Sequence, residues 1–321
     1  MTLLEPIPMK YRADVLQYPR GWYCVAESSD VTPDTLLPAS WLGEQLVVYR
    51  TEDGRAQVAD AYCPHLGAHL ASHDGRICDG RLVCPFHKWE FDAATGMVAH
   101  IPYTNVLPPA SVKLTLHPTR EINGMVLMWY DEQGRAPDFE PYNAEALDRP
   151  GYVLFDVKTW ETTCPFRDIL ENLFDTAHIQ QLHNSNNLPD VLGSSREPYG
   201  LRVDYRMQGE ELPIEGMTVH LSGVSLLHQE FRGPGWSTLF VHSFTPVDNE
   251  RFIQKTRLYL AEMPDPAMYE LIGKAWVERF VYEVEQDLKV LDFKKHLSRP
   301  RLCAGDGPIM EFRRYASGFY S

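Results

Sequence analysis

The chain has 321 residues, enough for two domains at the usual size of roughly 100–200 residues each. Its 30 Lys and Arg against 44 Asp and Glu give a formal net charge of −14, which disfavours nucleic acid and anionic membrane surfaces as partners. No apolar run approaches the ~20 residues that cross a bilayer, and the first residues lack the basic start and apolar block of a signal peptide. We therefore expect a cytoplasmic protein that binds neither nucleic acid nor membrane.

Short strand candidates fill residues 21–130, separated by Gly, Asp and Asn. Leu46–Arg50 is a strand candidate, Asp53-Gly54 is a hairpin turn signal, and Gln57–Ala59 begins the return strand. The other candidates are strands at Arg81–Cys84, Trp89–Phe91 and Gly124–Tyr130 and a turn at Thr95-Gly96. This spacing predicts an all-β domain, either a small antiparallel sandwich or a barrel.

Residues 131–150 contain three prolines and little apolar periodicity, so we interpret them as a domain boundary. One domain is then expected over residues 1–130, with an N-terminal arm before about residue 20. The second domain is expected over residues 131–321.

The second domain is predicted to combine helices with an antiparallel sheet. Asp168–Leu182 carries apolar residues at helical spacing, and a long helix is expected from near Pro266 towards His296. The strand candidates are Gly216–His228, Ser237–Phe244 and Arg251–Glu262. The apolar stripe of the long helix consists of Val277, Val281, Val284, Leu288 and Leu291. An antiparallel sheet with one long C-terminal helix is an α+β arrangement.

Cysteine and histidine recur in two short loops, Cys63-Pro-His65 and Cys84-Pro-Phe-His87. Two such loops facing each other can hold a [2Fe–2S] cluster, with both Cys on one iron and both His on the other, which is the Rieske arrangement. The alternative is a structural zinc site, but the order Cys, His, Cys, His with a one-residue first gap departs from zinc templates. The intervening candidates, interpreted as bystanders, are Cys78, His69 and His73.

A second group of possible ligands lies in the predicted helix around residues 168–182. Glu171, Asp175 and His178 follow at i, i+4 and i+7, which predicts that they share one face. His183 comes five residues after His178, and positions five apart diverge by roughly 140° on a regular helix. We therefore expect His183 on a distorted or unwinding turn, before the helix-ending stretch 184–189.

Two histidines and one carboxylate on one face of Fe(II) form the facial triad that leaves positions open for O₂. The carboxylate candidates on the long helix are Glu283, Glu285, Asp287 and Asp292. Asp287 is favoured because it shares a face with Phe280 and Val284, and a buried carboxylate needs a partner such as a metal. Asp292 lies among charged neighbours and is predicted to be solvated surface. Without the upstream cluster motif, buried structural histidines would be the commoner interpretation of His178 and His183.

The two motifs in this order resemble the oxygenase component of the Rieske non-haem iron oxygenases. The resemblance runs from Arg20 to the C-terminus, and Glu171–His178 and the tail are similar to the 3-ketosteroid 9α-hydroxylase oxygenase and cholesterol 7-desaturase group. The tail residues concerned are Glu285-Gln-Asp287, Lys294, Pro300, Leu302, Asp306-Gly-Pro-Ile309, Arg313-Arg314 and Phe319-Tyr320. The fold implied is an N-terminal all-β Rieske [2Fe-2S] domain followed by a helix-grip catalytic domain.

The resemblance also implies a role for each candidate residue. The [2Fe–2S] ligands are Cys63, His65, Cys84 and His87, and the mononuclear iron ligands are His178, His183 and Asp287. Asp175 is implied to relay electrons between the cluster of a neighbouring subunit and the iron, with Glu171 beside it. This relay requires a head-to-tail ring, expected to be a homotrimer.

The reaction implied is O₂ activation at Fe(II), followed by hydroxylation or desaturation of a steroid-like or other polycyclic apolar substrate. The chain has no Gly-rich dinucleotide motif, so NAD(P)H is expected to be oxidised by a separate ferredoxin or flavin/iron–sulfur reductase. The alternatives are an O- or N-demethylase or aromatic-ring oxygenase of the same chemistry, and a Rieske electron carrier without oxygenase activity. The residues proposed to line an apolar substrate pocket are Leu226, His228, Trp236, Phe240, His242 and Phe244.

Overall fold

The computed structural model describes residues 18–148, 151–184, 188–208, 214–263, 265–303 and 305–320. Of the arm expected before about residue 20, residues 1–17 therefore lie outside the described residues. Two units can be separated, one formed by Tyr23–Tyr130 with Gly134–Pro137 and the other chiefly by Asp138–Ser321. Within the described part of the chain, no helix has the length and apolar character needed to cross a membrane.

The first unit is built from short strands and has no α-helix in its described residues. Its three sheets have the strand orders β1-β11-β10, β2-β3-β4-β9 and β5-β6-β7-β8. The strands are β1 (Gly21–Glu27), β2 (Leu37–Trp41), β3 (Glu44–Arg50), β4 (Ala56–Asp60), β5 (Arg76–Cys78), β6 (Arg81–Val83), β7 (Glu90–Asp92), β8 (Val98–His100), β9 (Leu116–His117), β10 (Thr119–Ile122) and β11 (Met125–Tyr130). The predicted all-β fold of this half is confirmed.

The hairpin between β3 and β4 follows directly from its sequence. The apolar run that contains Val47 and Tyr49 is fully buried, and β3 pairs antiparallel with β4. Asp53-Gly54 closes the turn, where Gly54 has a φ of 81° and the Thr51 N–H donates to the Arg55 carbonyl. The hydrophobic core that includes side chains of these strands also contains Cys63 and Cys84. The cysteines of both loops therefore lie in the hydrophobic core of this unit.

The second unit contains one seven-stranded antiparallel sheet with the order β12-β18-β17-β16-β15-β14-β13. Its strands are β12 (Tyr152–Thr162), β13 (Leu188–Glu197), β14 (Gly200–Gln208), β15 (Gly216–Ser222), β16 (Leu226–Gly233), β17 (Trp236–Pro246) and β18 (Phe252–Ala261). Its helices are α1 (Phe166–Glu171), α2 (Thr176–Gln181), α3 (Pro266–Leu291) and α4 (Ile309–Ser317). The predicted α+β class is confirmed, with strands forming most of the structure.

The single strand predicted over Gly216–His228 is wrong, because a hairpin divides it. β15 ends at Ser222, Gly223 turns with a φ of 59°, and β16 begins at Leu226. Every residue of this stretch is buried, so apolar periodicity alone contained no sign of the turn.

The long helix α3 begins where the sequence predicts. Asp265 caps its N-terminus by accepting a hydrogen bond from the Ala267 N–H, and Pro266 occupies the first turn, where it loses no intrahelical bond. The helix ends at Leu291, short of His296. Gly273 is buried at the point where α3 packs on the sheet, and a Cβ there would lie 2.4 Å from the Phe155 ring.

We expect Gly273→Leu to destabilise the protein by about 1–3 kcal/mol, because the added side chain overpacks the contact with Phe155 and Leu260. The measurement is urea unfolding followed by far-UV circular dichroism. Glu278→Leu, at an exposed position of the same helix, is the control and should change the unfolding free energy by only a few tenths of a kcal/mol. Equal effects of the two substitutions would contradict close packing at Gly273.

Candidate metal centres

The two Cys–His loops of the first unit are each closed by backbone hydrogen bonds. The Cys63 N–H donates to the Ala68 carbonyl, and the Gly67 N–H donates back to the Cys63 carbonyl. In the second loop the Cys84 N–H donates to the Trp89 carbonyl in the same way. This geometry fixes each cysteine at the base of its loop and leaves the following histidine half-buried near the tip.

The four side chains of these loops converge. Cys63 and Cys84 are each only 2% exposed, and the two sulfur atoms lie close enough to interact. The rings of His65 and His87 have centroids 4.7 Å apart. The pKa of the Cys63 thiol is raised to about 12, first by burial, although the N–H groups of His65 and Leu66 point at its sulfur and oppose the shift.

A buried pair of thiols becomes a pair of thiolates only where positive charge compensates them, as the irons of a cluster do. Two sulfur donors in the core and two imidazoles nearer the surface fit a [2Fe–2S] cluster with unlike ligands on its two irons. Of the intervening candidates, Cys78 is exposed beside Asp79, and His69 Nδ1 accepts a hydrogen bond from the Ala71 N–H.

An aromatic side chain that the sequence did not identify as functional lies behind the cluster loops. The indole of Trp89 is stacked on the His65 ring, with centroids 4.5 Å apart and an interplanar angle of 8°. The Trp89 Nε1–H donates to the Tyr103 hydroxyl over 2.6 Å. These contacts orient the imidazole, but Trp89 is indistinguishable in sequence from an ordinary core residue.

The second group of ligands lies on a broken helix. α1 ends at Glu171, a 3₁₀ turn covers Asn172–Phe174, and Asp175 has the non-helical angles φ −92° and ψ 89° before α2 begins. The prediction that Glu171, Asp175 and His178 share one face of a continuous helix is therefore wrong. The break coincides with the C-terminal tail, since a Cβ at Gly307 would lie 2.3 Å from the Phe174 carbonyl oxygen.

His183 lies on an unwinding turn, as predicted. α2 ends at Gln181, and the N–H groups of Leu182 and His183 both donate to the His178 carbonyl, over 2.7 and 3.4 Å. This widened turn, with its i→i−5 bond, brings the two imidazoles together, with ring centroids 5.0 Å apart. Of the predicted helix-ending stretch, residues 185–187 lie outside the described residues.

Asp287 on α3 completes the group. Its Oδ1 lies 3.2 Å from His183 Nε2 and 4.0 Å from His178 Nε2, and the three potential donor atoms all fall within 4.8 Å of one another. Among the described residues, Asp287 Oδ1 is buried without a hydrogen-bond donor. His178 Nδ1 donates to the Asp175 carbonyl, so its Nε2 is the nitrogen that faces Asp287. Two imidazoles and one unpartnered carboxylate oxygen fit a 2-His-1-carboxylate iron site.

The other carboxylates of α3 are engaged elsewhere or face solvent. Glu283 is paired with Arg279 over 2.6 Å, and Glu285 is exposed. Asp292 Oδ1 accepts hydrogen bonds from the Thr162 hydroxyl and the Thr163 N–H, at 2.8 and 3.0 Å. The prediction that Asp292 is plain solvated surface is therefore wrong, because it ties the C-terminus of α3 to the end of β12.

Buried ion pairs attach α1 to the C-terminal tail. His296 Nδ1 donates to Asp168 over 2.6 Å, and Arg313 binds both carboxylate oxygens of Glu171 at 2.5 and 3.0 Å. Lys294 lies 3.5 Å from both carboxylates. Burial alone raises the pKa of Asp168, but the His296 hydrogen bond and the Lys294 charge outweigh it and hold the pKa below its usual value. Glu171 is thus engaged with Arg313 and Lys294.

A cavity of about 380 Å³ opens beside the His178–His183–Asp287 group, within the ~300–1,000 Å³ of small-molecule sites. Its walls are mostly apolar side chains of α1, the 3₁₀ turn after it, α2, α3 and one face of the sheet, among them Leu173, Ile179, Leu227, Phe231, Trp276, Phe280 and Val284. Of the residues predicted to line a pocket, Phe240, His242 and Phe244 do so, whereas Leu226, His228 and Trp236 are not among its described walls. His228 alternates with Gln229 along β16, so it projects from the opposite face.

Comparison with known proteins defines the class in two parts. The model of the Rieske [2Fe-2S] domain matches residues 21–111, and that of the 3-ketosteroid 9alpha-hydroxylase C-terminal domain matches residues 128–320. The chain is 31% identical to cholesterol 7-desaturase nvd of Xenopus laevis, over 95% of this chain and 72% of the relative. It is 26% identical to the 3-ketosteroid-9-alpha-monooxygenase oxygenase component of Rhodococcus rhodochrous, over 95% and 82% of the two chains.

The same fold occurs in a crystal structure of dicamba monooxygenase bound to dicamba. The two structures align with a TM-score of 0.72 over 96% of this chain and 98% of the other, at 19% sequence identity. These matches define a Rieske-type oxygenase, an oxidoreductase with a Rieske [2Fe–2S] domain. Within that class, the chain belongs to the family that carries the 3-ketosteroid 9alpha-hydroxylase C-terminal domain.

The buried ion pairs predict a specific loss of stability in acid. Because the folded-state pKa of Asp168 is depressed, its contribution is present above the unfolded pKa of about 3.9 and is lost as the pH falls through the folded value. Asp168→Asn should lower the unfolding free energy by about 1–3 kcal/mol at pH 7 and by clearly less at pH 3. Urea unfolding at the two pH values measures the difference. Glu278→Gln, an exposed change on α3, is the control, and an Asp168→Asn deficit that stays constant with pH would contradict this account.

Proposed function

We propose that this chain is the oxygenase component of a two-centre Rieske oxygenase that hydroxylates or desaturates a steroid-like apolar molecule. In this proposal the [2Fe–2S] cluster is bound by Cys63, His65, Cys84 and His87, and a mononuclear Fe(II) by His178, His183 and Asp287. The single observation that carries the proposal is the His178–His183–Asp287 group, whose donor atoms lie within 4.8 Å of one another beside an apolar cavity.

When bound, the mononuclear iron would supply O₂ activation with electrons that arrive through the [2Fe–2S] cluster. The protein's part is positioning. The Asp175 carbonyl holds His178 Nδ1 and so directs Nε2 towards the cavity, while the turn after α2 presents His183 beside it. The apolar walls contributed by α3 and the sheet bind the substrate skeleton and keep water away from the reacting carbon.

Electrons would come from a separate reductase, and Asp175 would relay them from the cluster of a neighbouring subunit to the iron. The carboxylate of Asp175 supports this role, because it has no hydrogen-bond or ion-pair partner among the described residues. The backbone carbonyl of Asp175 accepts a hydrogen bond from His178 Nδ1, so Asp175 directly contacts a proposed iron ligand. Such a relay needs a head-to-tail ring. The homotrimer and the cytoplasmic location both stay predictions.

The substrate class rests on two supports. The relatives named cholesterol 7-desaturase and 3-ketosteroid-9-alpha-monooxygenase are, by those names, proteins that act on steroids. The cavity is mostly apolar and has the volume of a small-molecule site. The direct test is incubation of the purified protein with a Rieske-oxygenase reductase, NADH, O₂ and a panel of sterols and 3-ketosteroids, analysed by mass spectrometry. A product 16 mass units heavier indicates hydroxylation and one 2 units lighter indicates desaturation, whereas the absence of both contradicts the proposal.

The ligand assignment predicts that Asp287→Ala loses the mononuclear iron and all turnover but retains the visible spectrum of the cluster. The physical reason is that two neutral histidines alone bind Fe(II) weakly, whereas the cluster loops lie in the other unit of the chain. Iron analysis, the visible spectrum and the turnover assay are measured on the same preparation.

Asp292→Ala is the matched control, because it removes a carboxylate from the end of the same helix. It loses the bonds to Thr162 and Thr163 and should be less stable, yet it should retain the mononuclear iron. Turnover by Asp287→Ala, or loss of the mononuclear iron from Asp292→Ala alone, would show that the carboxylate has been assigned to the wrong residue.

A further inference from the structure

Three polar side chains lie on the cavity-facing side of the sheet, between otherwise apolar neighbours. They are Gln229 on β16, His242 on β17 and Gln254 on β18. Gln254 is directly opposite Phe244, which lies two residues from His242 on the same strand. Alternation along antiparallel strands therefore places all three side chains on one face.

Two of the three are already bonded to protein groups. His242 is hydrogen-bonded through Nδ1 to the Thr256 hydroxyl over 2.8 Å and through Nε2 to Gln229 Oε1 over 3.0 Å. Burial and the nearby Arg257 lower the pKa of His242 to about 3, so its ring is neutral and carries one N–H. With the Thr256 hydroxyl donating to Nδ1, the Nε2–H donates to Gln229. The carboxamide of Gln229 then points its NH₂ at the Met217 sulfur, 3.7 Å away.

Gln254 differs from Gln229 although it is the same residue type on the same wall. Its side chain is 4% exposed, and its Oε1 is buried without a hydrogen-bond partner among the described residues. A buried amide oxygen without a donor destabilises a fold, since it has lost its hydrogen bonds to water. Apart from Asp287 of the proposed iron site, the charged residues that line the same cavity are Arg279 and Glu283, which are paired with each other.

We propose that Gln254 is a specificity-determining residue that hydrogen-bonds an uncharged oxygen substituent, a hydroxyl or a ketone, on the otherwise apolar substrate. This inference rests on the proposed function and adds the group by which the substrate is oriented. A carboxamide both donates and accepts hydrogen bonds, so it can pair with either a hydroxyl or a ketone of the substrate. A plain hydrocarbon would fill the cavity and leave the carboxamide oxygen without a hydrogen-bond partner. Sites that hydrogen-bond a polar substituent discriminate strongly against analogues that lack it, for this reason.

The test uses four probes with one carbon skeleton: 5α-androstane, 5α-androstan-3β-ol, 5α-androstan-3-one and 5α-androstan-17-one. Binding to the iron-loaded full chain is followed by tryptophan fluorescence, because Trp276 lines the cavity. We expect at least one oxygenated probe to bind about tenfold more tightly than androstane. Gln254→Met, which retains the length of the side chain, should reduce that preference to about twofold or less.

Gln229→Met is the matched control. It should retain the preference for the oxygenated probe, yet lower the urea midpoint, because His242 Nε2–H loses its acceptor. Gln254→Met should leave that midpoint unchanged or raise it, since it removes an unpaired buried amide oxygen.

The proposal is overturned if androstane binds wild-type protein as tightly as its oxygenated forms, if no probe binds, or if Gln254→Met retains the preference. Loss of preference in Gln229→Met but not in Gln254→Met overturns it as well. Failure of the proposed function is a separate result. It would appear as absent turnover or absent mononuclear iron in protein whose binding preference still depends on Gln254.

Discussion

The turn after α2 decides whether the second half of this chain can form a metal centre. A continuous helix would direct His178 and His183 away from each other, because positions five apart diverge by roughly 140°. The turn after α2, where the N–H groups of Leu182 and His183 both donate to the His178 carbonyl, brings the two rings to a centroid distance of 5.0 Å, with both Nε2 atoms near Asp287. The break between α1 and α2 orients the first of these rings, since Asp175, where the helix is interrupted, accepts the His178 Nδ1 hydrogen bond through its carbonyl.

The C-terminal tail stabilises that break. Gly307 lies against the Phe174 carbonyl at a distance that leaves no room for a side chain, and Phe312 of α4 stacks on the Phe174 ring with centroids 4.9 Å apart. Arg313 and His296 neutralise Glu171 and Asp168, the two buried carboxylates of α1. These contacts are a physical reason why the tail shares residues with the family that this chain resembles. It contributes no ligand, yet it fixes the segment that carries two of them.

The sequence was sufficient for features that depend on local chemistry. The Cys–His spacing of the two loops, the cap and first turn of α3, and the hairpin at Asp53-Gly54 are each encoded within a few residues. The burial argument for Asp287 also identified the carboxylate nearest to both histidines. The physical reason is that a charge on an apolar helix face requires a partner that the helix itself does not provide.

Features that depend on distant contacts could not be predicted in this way. The helix break requires the tail, more than 130 residues later, and the role of Asp292 requires Thr162 and Thr163 at the end of β12. Gln254 is a further case, because a glutamine in a strand looks the same in sequence whether its carboxamide is satisfied or not. The difference between Gln254 and Gln229 is visible only in three dimensions.

As a two-centre Rieske oxygenase, this one polypeptide must hold both a two-iron cluster and a separate iron. The most direct measurement is therefore the iron and acid-labile sulfide content of reconstituted wild-type protein, combined with its visible spectrum. We predict about three irons and two sulfides per chain, in a coloured protein. About two irons with two sulfides, or a colourless protein loaded with zinc, would show that the chain does not hold both iron centres.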